Sequence, residues 1–319
     1  MKKPLIVLTG PTAVGKTSLS IELAKRINGE IISADCMQVY KYMDIGTAKI
    51  TPQEMDGINH YLIDAIYPNE EFHVVKFKEM ATRAIDEIYG RGHIPIICGG
   101  TGFYIQALLY DIEFTDNASN DRLRQELSDY ADKYGNEALL GKLKEVDKVS
   151  ASEIPANNRK RIIRAIEYYT LTGQTISEHN RIQRHREAVY NYAYFVINDN
   201  RDILYNRINS RVDLMIKAGL EAEVKNLIKM GYSKDLQSMS GIGYKEMIEY
   251  IEGNISKDDA IDSIKQNSRH YAKRQLTWFR REKDIIWLEK EELKNQHEML
   301  NKIKEELLKR GIISEGFVQ

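Results

Sequence analysis

Eight residues near the start of the chain, Gly10-Pro11-Thr12-Ala13-Val14-Gly15-Lys16-Thr17, restrict its fold more than any other segment. They match the glycine-rich phosphate loop, a motif that has meaning only between a strand and a helix. Both neighbours are present. Leu5 to Thr9 reads as a buried strand, and Lys16 to Ile27 reads as a helix. The glycines let the backbone wrap with its N–H groups inward, and the helix N-terminus completes an anion cradle. In such a loop Lys16 reaches the outer phosphate and the Thr17 hydroxyl is the expected protein ligand of Mg2+.

Strands and helices then alternate. Glu30 to Ser33 reads as a strand ending at Ala34-Asp35, and His60 to Asp64 as a short third strand. Val75 to Gly90 has helical periodicity, with Phe77, Met80, Ala81, Ala84, Ile85 and Ile88 on one side. Ile94 to Cys98 is a buried strand, followed by Gly99-Gly100-Thr101-Gly102 and a helix from Phe103 to Tyr110. This rhythm predicts an α/β fold: a parallel sheet with helices on both faces. It changes near Thr115, where Thr115 to Asp121 is polar and loop-like. From Arg122 to Thr172 the pattern is helical, broken near Pro155, with no strand candidate. Tyr192 to Ile197 and Ile285 to Leu288 read as strands again, with helices from Arg201. The expectation is a P-loop α/β core in two parts, 1–115 and 191–319, interrupted by an all-helical insertion at 116–190.

The 319 residues are 42% hydrophobic and 29% charged, as in an ordinary soluble globular protein. No apolar run approaches the ~20 residues of a membrane helix. The Met-Lys-Lys-Pro start leads directly into a strand and does not resemble a signal peptide. Cys36 and Cys98 are the only cysteines, which excludes a disulfide framework and a four-cysteine zinc site and points to a reducing cytoplasm. Nothing in the sequence demands more than a monomer. The formal net charge is −1, but positive charge is concentrated. Arg159 to Arg186 holds seven Lys/Arg and two Glu, and Arg269 to Lys283 six Lys/Arg and one Glu. Such clusters suit a polyanion-binding face, though two solvated helix faces have the same composition.

A P-loop binds a diphosphate without saying what is done with it. Asp35 ends the second strand at the same sheet edge as the loop. A carboxylate there serves as a general base, a metal ligand or a helix cap. The Gly99–Gly102 turn ends another strand at that edge, where ligands of parallel sheets bind. Thr101 has a hydroxyl to aim at a pyrophosphate or a base, or it simply belongs to a tight turn.

Together these residues resemble the tRNA dimethylallyltransferase (tRNA isopentenyltransferase) family, in its bacterial form. The resemblance rests on Gly10 to Thr17, Ser33-Ala34-Asp35-Cys36-Met37-Gln38-Val39-Tyr40 and Met43-Asp44-Ile45-Gly46-Thr47-Ala48-Lys49. It continues through His60-Tyr61-Leu62-Ile63-Asp64, Gly99 to Tyr104, Asn158 to Glu167, Arg211-Val212 and Gly219 to Val224. Gly241 to Glu246 and Arg274-Gln275-Leu276-Thr277-Trp278-Phe279 complete it, in order, to about Leu288. The family moves a dimethylallyl group from dimethylallyl pyrophosphate to N6 of the adenosine 3′ of the tRNA anticodon.

The resemblance implies roles for individual residues. Gly10, Pro11, Thr12, Ala13, Val14, Gly15, Lys16 and Thr17 hold the pyrophosphate with Mg2+, and Asp35 is the base. Lys16, Thr101 and Arg211 complete the catalytic set. Asp35, Cys36, Met37, Gln38 and Thr101 contact the acceptor base, which must be flipped out of the anticodon loop. The insertion clamps the anticodon stem through Arg124, Arg159, Lys160, Arg161, Ile162 and Ile163, with Arg164, Lys245 and Arg274 as further phosphate contacts. Tyr168 and Tyr169 are stacking or core residues, and Trp278 is a core or interface residue. Cys36 stands where many relatives have Ser and offers a weaker hydrogen bond. No zinc-finger pattern of the eukaryotic relatives is present. Two other readings compete: a small-molecule or nucleoside kinase, and an RNA-binding protein switched by a nucleotide. Both require ATP, whereas a prenyl transfer does not.

Overall fold

The computed structural model describes residues 2–114 and 120–315. They divide into two compact units, Met1–Asp111 with Ala188–Gln319, and Ile112–Glu187. The expected boundary at 115/116 lies outside the described residues. The second unit ends at Glu187, and the Val189 amide donates to the Leu109 carbonyl at 2.9 Å.

The first unit is built on six strands: β1 Pro4–Thr9, β2 Gly29–Ala34, β3 His60–Tyr61, β4 Ile94–Gly99, β5 Asn191–Asn198 and β6 Ile285–Glu289. Their order is β3-β2-β4-β1-β5-β6, and every pairing is parallel. Parallel strands are covered on both faces, so their sequences are continuous apolar runs. The period of two still sorts the side chains. Leu5, Val7, Ile97 and Val196 enter one layer, and Ile6, Leu8, Ile96, Phe195 and Ile197 enter the other. Helices Val74–Gly90, Gly102–Leu109, Leu220–Lys229 and Tyr244–Ile251 cover the first face. Helices Lys16–Ile27 and Gln296–Lys309 cover the second. Arg201–Ala218 and Lys257–Phe279 contribute to both layers: Val212 and Ile264 to the first, Leu204, Ile208 and Ala272 to the second.

The third strand is shorter than its sequence suggests. Leu62 and Asp64 have φ of 62° and 51°, left-handed values that no extended strand accommodates. The chain turns there, and the Asp64 and Ala65 amides donate to the Gln38 and Val39 carbonyls. An isolated parallel bridge, Tyr40 to Ile66, follows. The turn thereby anchors the segment after Asp35.

Register aligns three strand ends. Thr9 pairs with Gly99, and Gly99 with Ala34. The P-loop, Asp35 and the Gly99–Gly102 turn therefore leave the sheet side by side. Thr9 Oγ1 donates to the Gly99 carbonyl at 2.5 Å, and the Thr101 amide donates to the Ala34 carbonyl at 3.1 Å. A Cβ on Gly99 would lie 2.3 Å from the Ala34 carbonyl carbon and oxygen, both of which are backbone atoms inside the sheet. Gly99→Ala is expected to destabilise the protein by about 3 kcal/mol, the upper end for overpacking a closed core. A urea midpoint equal to the parent's would contradict this close approach.

The second unit holds helices Asp121–Tyr134, Asn136–Val146, Lys148–Glu153, Arg159–Thr172 and Ile176–Arg184, with no strand among its described residues. Asp121 belongs to the first helix and not to the preceding loop; Asn120 caps that helix by accepting from the Leu123 amide at 3.0 Å. The break near Pro155 has a direct cause. Ile154 is extended (φ −98°, ψ 117°), the conformation imposed on a residue that precedes proline. Leu127, Leu139, Leu143, Ile162 and Ala165 form a separate core.

The buried Glu167 carboxylate organises one side of this unit. It accepts two bonds from Arg124, at 2.8 and 3.1 Å, one from Arg164 at 2.8 Å and one from the Asn120 amide at 3.0 Å. Burial raises its pKa, but the arginine bonds outweigh burial and hold it below the ordinary value. The arginine side chains are 43% and 46% exposed, so solvent screens part of the interaction. Glu167→Gln is expected to destabilise by about 2 kcal/mol at neutral pH, less than breaking a fully buried pair. The lowered folded pKa makes this contribution complete above the unfolded carboxylate pKa, and it is lost as pH falls through the folded one. Urea titrations of parent and variant should converge in acid; a constant gap would contradict the ion pair as its source.

Candidate active site at the carboxyl edge of the sheet

The P-loop is shaped by backbone conformations that side chains resist. Gly10 has φ 150°, and a Cβ there would approach the Ile197 carbonyl oxygen to 2.5 Å. Gly15 has φ 96° and caps the helix it precedes. Lys16 Nζ donates back to the Gly10 and Pro11 carbonyls at 3.0 and 2.9 Å, which places the ammonium at the loop itself. Burial pushes its pKa down to about 8; Arg211 adds to that shift, while Cys98 and Asp35 oppose it. Two cations brought close together without full solvation form a site that favours a polyanion.

Arg211 reaches this loop from helix Arg201–Ala218. One guanidinium nitrogen donates to Thr12 Oγ1 and another to the Ala48 carbonyl, each at 3.5 Å. Burial lowers its pKa, and Asp35 acts in the opposite sense. The negative charge of Asp35 thus offsets part of the desolvation of both Lys16 and Arg211. Its Oδ1 accepts from the Met37 amide at 2.8 Å and the Gln38 amide at 3.3 Å, the geometry of a cap. Among the described residues no hydrogen bond or ion pair engages Oδ2. The cap and base readings of Asp35 are therefore compatible, one oxygen serving each.

Burial, then the charge of Asp35, pushes the Cys36 thiol up to about 12, while Thr101 acts to lower it. Thr101 Oγ1 is buried with no partner at hydrogen-bond distance. Met37 packs against Gly241, where a Cβ would meet its Cε at 2.4 Å. The Gln38 amide nitrogen donates to the Thr47 and Ala48 carbonyls at 3.3 Å, so Gln38 has its carbonyl oxygen to offer a ligand. Thr17 is the second residue of the first helix and is exposed. Among the described residues no three His, Cys, Asp or Glu side chains cluster as a metal site.

In the second unit the candidate tRNA contacts differ in availability. Lys160 and Arg161 are exposed at the start of helix Arg159–Thr172. Arg159 donates to Asn136 at 3.1 Å and Asp132 at 2.6 Å, and Arg124 is held bidentate on Glu167. Ile162 is wholly buried and Ile163 half-buried, so they fix the helix that presents the basic residues. Tyr168 is buried and Tyr169 exposed. In the first unit Lys245 and Arg274 are exposed, and Trp278 packs edge-on against Phe103.

Other supporting residues lie within the stretches that carry the resemblance, but the sequence assigns them no role. Glu223 accepts the amides of Asp44, Ile45 and Gly46 at 2.9, 2.7 and 3.1 Å, and the Tyr244 hydroxyl at 2.7 Å. A Cβ on Gly46 would lie 2.6 Å from the Tyr244 ring, which explains the glycine. This clasp positions the loop whose Ala48 carbonyl receives Arg211 and Gln38. Gln275 bonds both the P-loop and the Gly99–Gly102 turn.

Comparison with known proteins follows the same outline. Residues 38–282 match the family model described as IPP transferase. The tRNA dimethylallyltransferase of Lachnoclostridium phytofermentans is 56% identical over 311 residues, covering 98% of this chain and 99% of its own. That of Acetivibrio thermocellus is 49% identical over 308 residues, with 97% and 98% covered. The crystal structure of the full-length tRNA isopentenylpyrophosphate transferase from Bacillus halodurans aligns over 98% of each chain, with 43% identity and a TM-score of 0.72. A eukaryotic dimethylallyltransferase captured acting on tRNA aligns with 90% of this chain and 74% of its own, at 29% identity and a TM-score of 0.74. With sequence and fold matched along nearly the whole length, the chain belongs to the IPP transferase family.

Proposed function

We propose that this transferase moves a dimethylallyl group from dimethylallyl pyrophosphate to N6 of the adenosine immediately 3′ of the tRNA anticodon, releasing pyrophosphate. The observation that carries the reading is the convergence of the P-loop, Asp35 and Thr101 on one sheet edge, with Lys16 and Arg211 beside them. The names of the relatives support the same chemistry and give no support to a kinase.

In the reaction, the N6 lone pair forms a bond to the allylic carbon as the bond from that carbon to the pyrophosphate oxygen breaks. The electron pair leaves with the pyrophosphate, and the N6 proton goes to Asp35 Oδ2. An exocyclic adenine nitrogen is a poor nucleophile, so a base that accepts its proton lowers the barrier. Charge developing on the leaving group is met by the P-loop amides, Lys16 and Arg211, donors fixed before the reaction begins. Mg2+ supplies further charge neutralisation when bound. The Thr17 hydroxyl and the pyrophosphate oxygens suit it, because this ion keeps waters and substrate phosphates and needs few protein ligands.

The adenine reaches the site only when flipped out of its loop. Gln38 Oε1 then accepts from the base edge, beside Cys36 and Met37. Lys160 and Arg161 are the exposed phosphate contacts of the helical unit, and Arg124 and Arg159 join them only by sharing their carboxylate partners. One chain carries every group named, which suits a monomer. Among the described residues no helix is long and apolar enough to cross a membrane, and a tRNA substrate suits a cytoplasmic enzyme. Calorimetry with Mg2+ tests the donor. Dimethylallyl pyrophosphate should bind more tightly than ATP; tighter ATP, with phosphoryl transfer to a small molecule, would restore the kinase.

A further inference from the structure

We infer that Gln275 is a positioning residue that sets the shape of the pyrophosphate cradle by strapping the P-loop to the Gly99–Gly102 turn. The inference deepens the proposed function and rests on its placing of pyrophosphate in the P-loop. Gln275 is buried, on helix Lys257–Phe279. Its Oε1 accepts from the Thr12 amide at 2.9 Å and its Nε2 donates to the Gly100 carbonyl at 3.0 Å. One side-chain amide thus bridges two loops that leave different strands, β1 and β4.

The surroundings leave little room for another arrangement. A Cβ on Gly100 would sit 2.0 Å from Gln275 Nε2, and one on Gly102 would sit 2.1 Å from Trp278 Cδ1. Tyr271, on the same helix, lies near enough to Thr101 for that hydroxyl to lower its pKa against the larger upward shift from burial. Residues 271, 275 and 278 are spaced i, i+4 and i+7, so a single helical face reads the whole turn. Thr12 is fixed from two sides: its amide by Gln275 and its hydroxyl by Arg211. The Thr12 N–H is therefore committed to Gln275 and not to an anion. Gln275 acts through the loop: it holds Thr12 so that the remaining amides, Lys16 and Arg211 converge, and it keeps them in register with Thr101. Only a side chain carrying both a donor and an acceptor at this length completes the strap.

Inorganic pyrophosphate is the probe, with affinity measured by calorimetry on the full chain alongside binding of unmodified tRNA. Gln275→Met keeps the length and removes both bonds. It should weaken pyrophosphate about ten-fold, the scale of a buried polar group left unpaired, with tRNA affinity within about two-fold of the parent's. Gln275→Glu keeps the acceptor but regains the donor only when protonated. Its pyrophosphate affinity, taken as a ratio to the parent's at each pH, should rise as pH falls. Unchanged pyrophosphate affinity in Gln275→Met would overturn the inference, and so would a Gln275→Glu ratio that is flat with pH. Because neither readout requires prenyl transfer, failure of the strap is distinguishable from failure of the assigned reaction.

Discussion

Asp35→Asn is expected to lower the rate of prenyl transfer by about 10²–10⁴-fold, the usual contribution of a positioned general base. Asparagine is the informative replacement. Its carbonyl oxygen keeps the bonds that Asp35 Oδ1 accepts from the Met37 and Gln38 amides, so the turn that presents the acceptor site survives. What is lost is the oxygen able to take a proton. The fall should therefore lie in kcat, with tRNA affinity within a few-fold of the parent's, as for an interaction made only in the transition state. Single-turnover transfer and tRNA binding, measured together, check both parts. A variant with near-parent kcat would remove Asp35 from the chemistry and leave it as a cap.

Lys16→Met should act on the donor. Removing one partner of a desolvated, hydrogen-bonded charge pair costs about 2–5 kcal/mol, so affinity for dimethylallyl pyrophosphate should fall at least about 30-fold. The ammonium's pKa, lowered to about 8 in the protein, adds a pH signature. A bound pyrophosphate favours the charged ammonium and raises that pKa, so binding takes up a proton above about pH 8. Affinity should therefore be highest below that pH and weaken as pH rises through it, and Lys16→Met should lose this dependence. The stability linkage runs in the same window. From about 8 up to the unfolded value of 10.5 the unfolded chain binds the extra proton, so stability rises with pH there. A pH profile of donor affinity shared by parent and variant would assign the titration to another group.

Much of this site is legible in the sequence because its parts are local. The P-loop announces itself through glycine spacing, and Asp35 and Thr101 follow strands whose apolar runs are unambiguous. Register does the rest, since parallel strands with aligned ends bring Thr9, Ala34 and Gly99 together. What escapes is the support from distant residues. Gln275 belongs to a stretch that carries the resemblance, but no spacing rule links it to Thr12, 263 positions earlier, so its role escapes a reading of the sequence. The role of Glu223 is equally hidden, although Gly219 to Val224 carries the resemblance, because its partners are the backbone amides of residues 44–46. The third strand is overextended in the sequence because His60 to Asp64 looks apolar enough, while the left-handed turn at Leu62 and Asp64 depends on tertiary bonds. Arg164 shows how charge counts mislead: it counts in the basic cluster from Arg159 to Arg186, yet its guanidinium is engaged by the buried Glu167 carboxylate.

The most direct test supplies labelled dimethylallyl pyrophosphate, Mg2+ and unmodified tRNA that reads codons beginning with U, without ATP, and locates the label by nucleoside analysis. Label is expected on N6 of the adenosine 3′ of the anticodon, with pyrophosphate released in equal amount. An unlabelled tRNA, together with ATP-dependent phosphorylation of a small molecule by the same preparation, would contradict it.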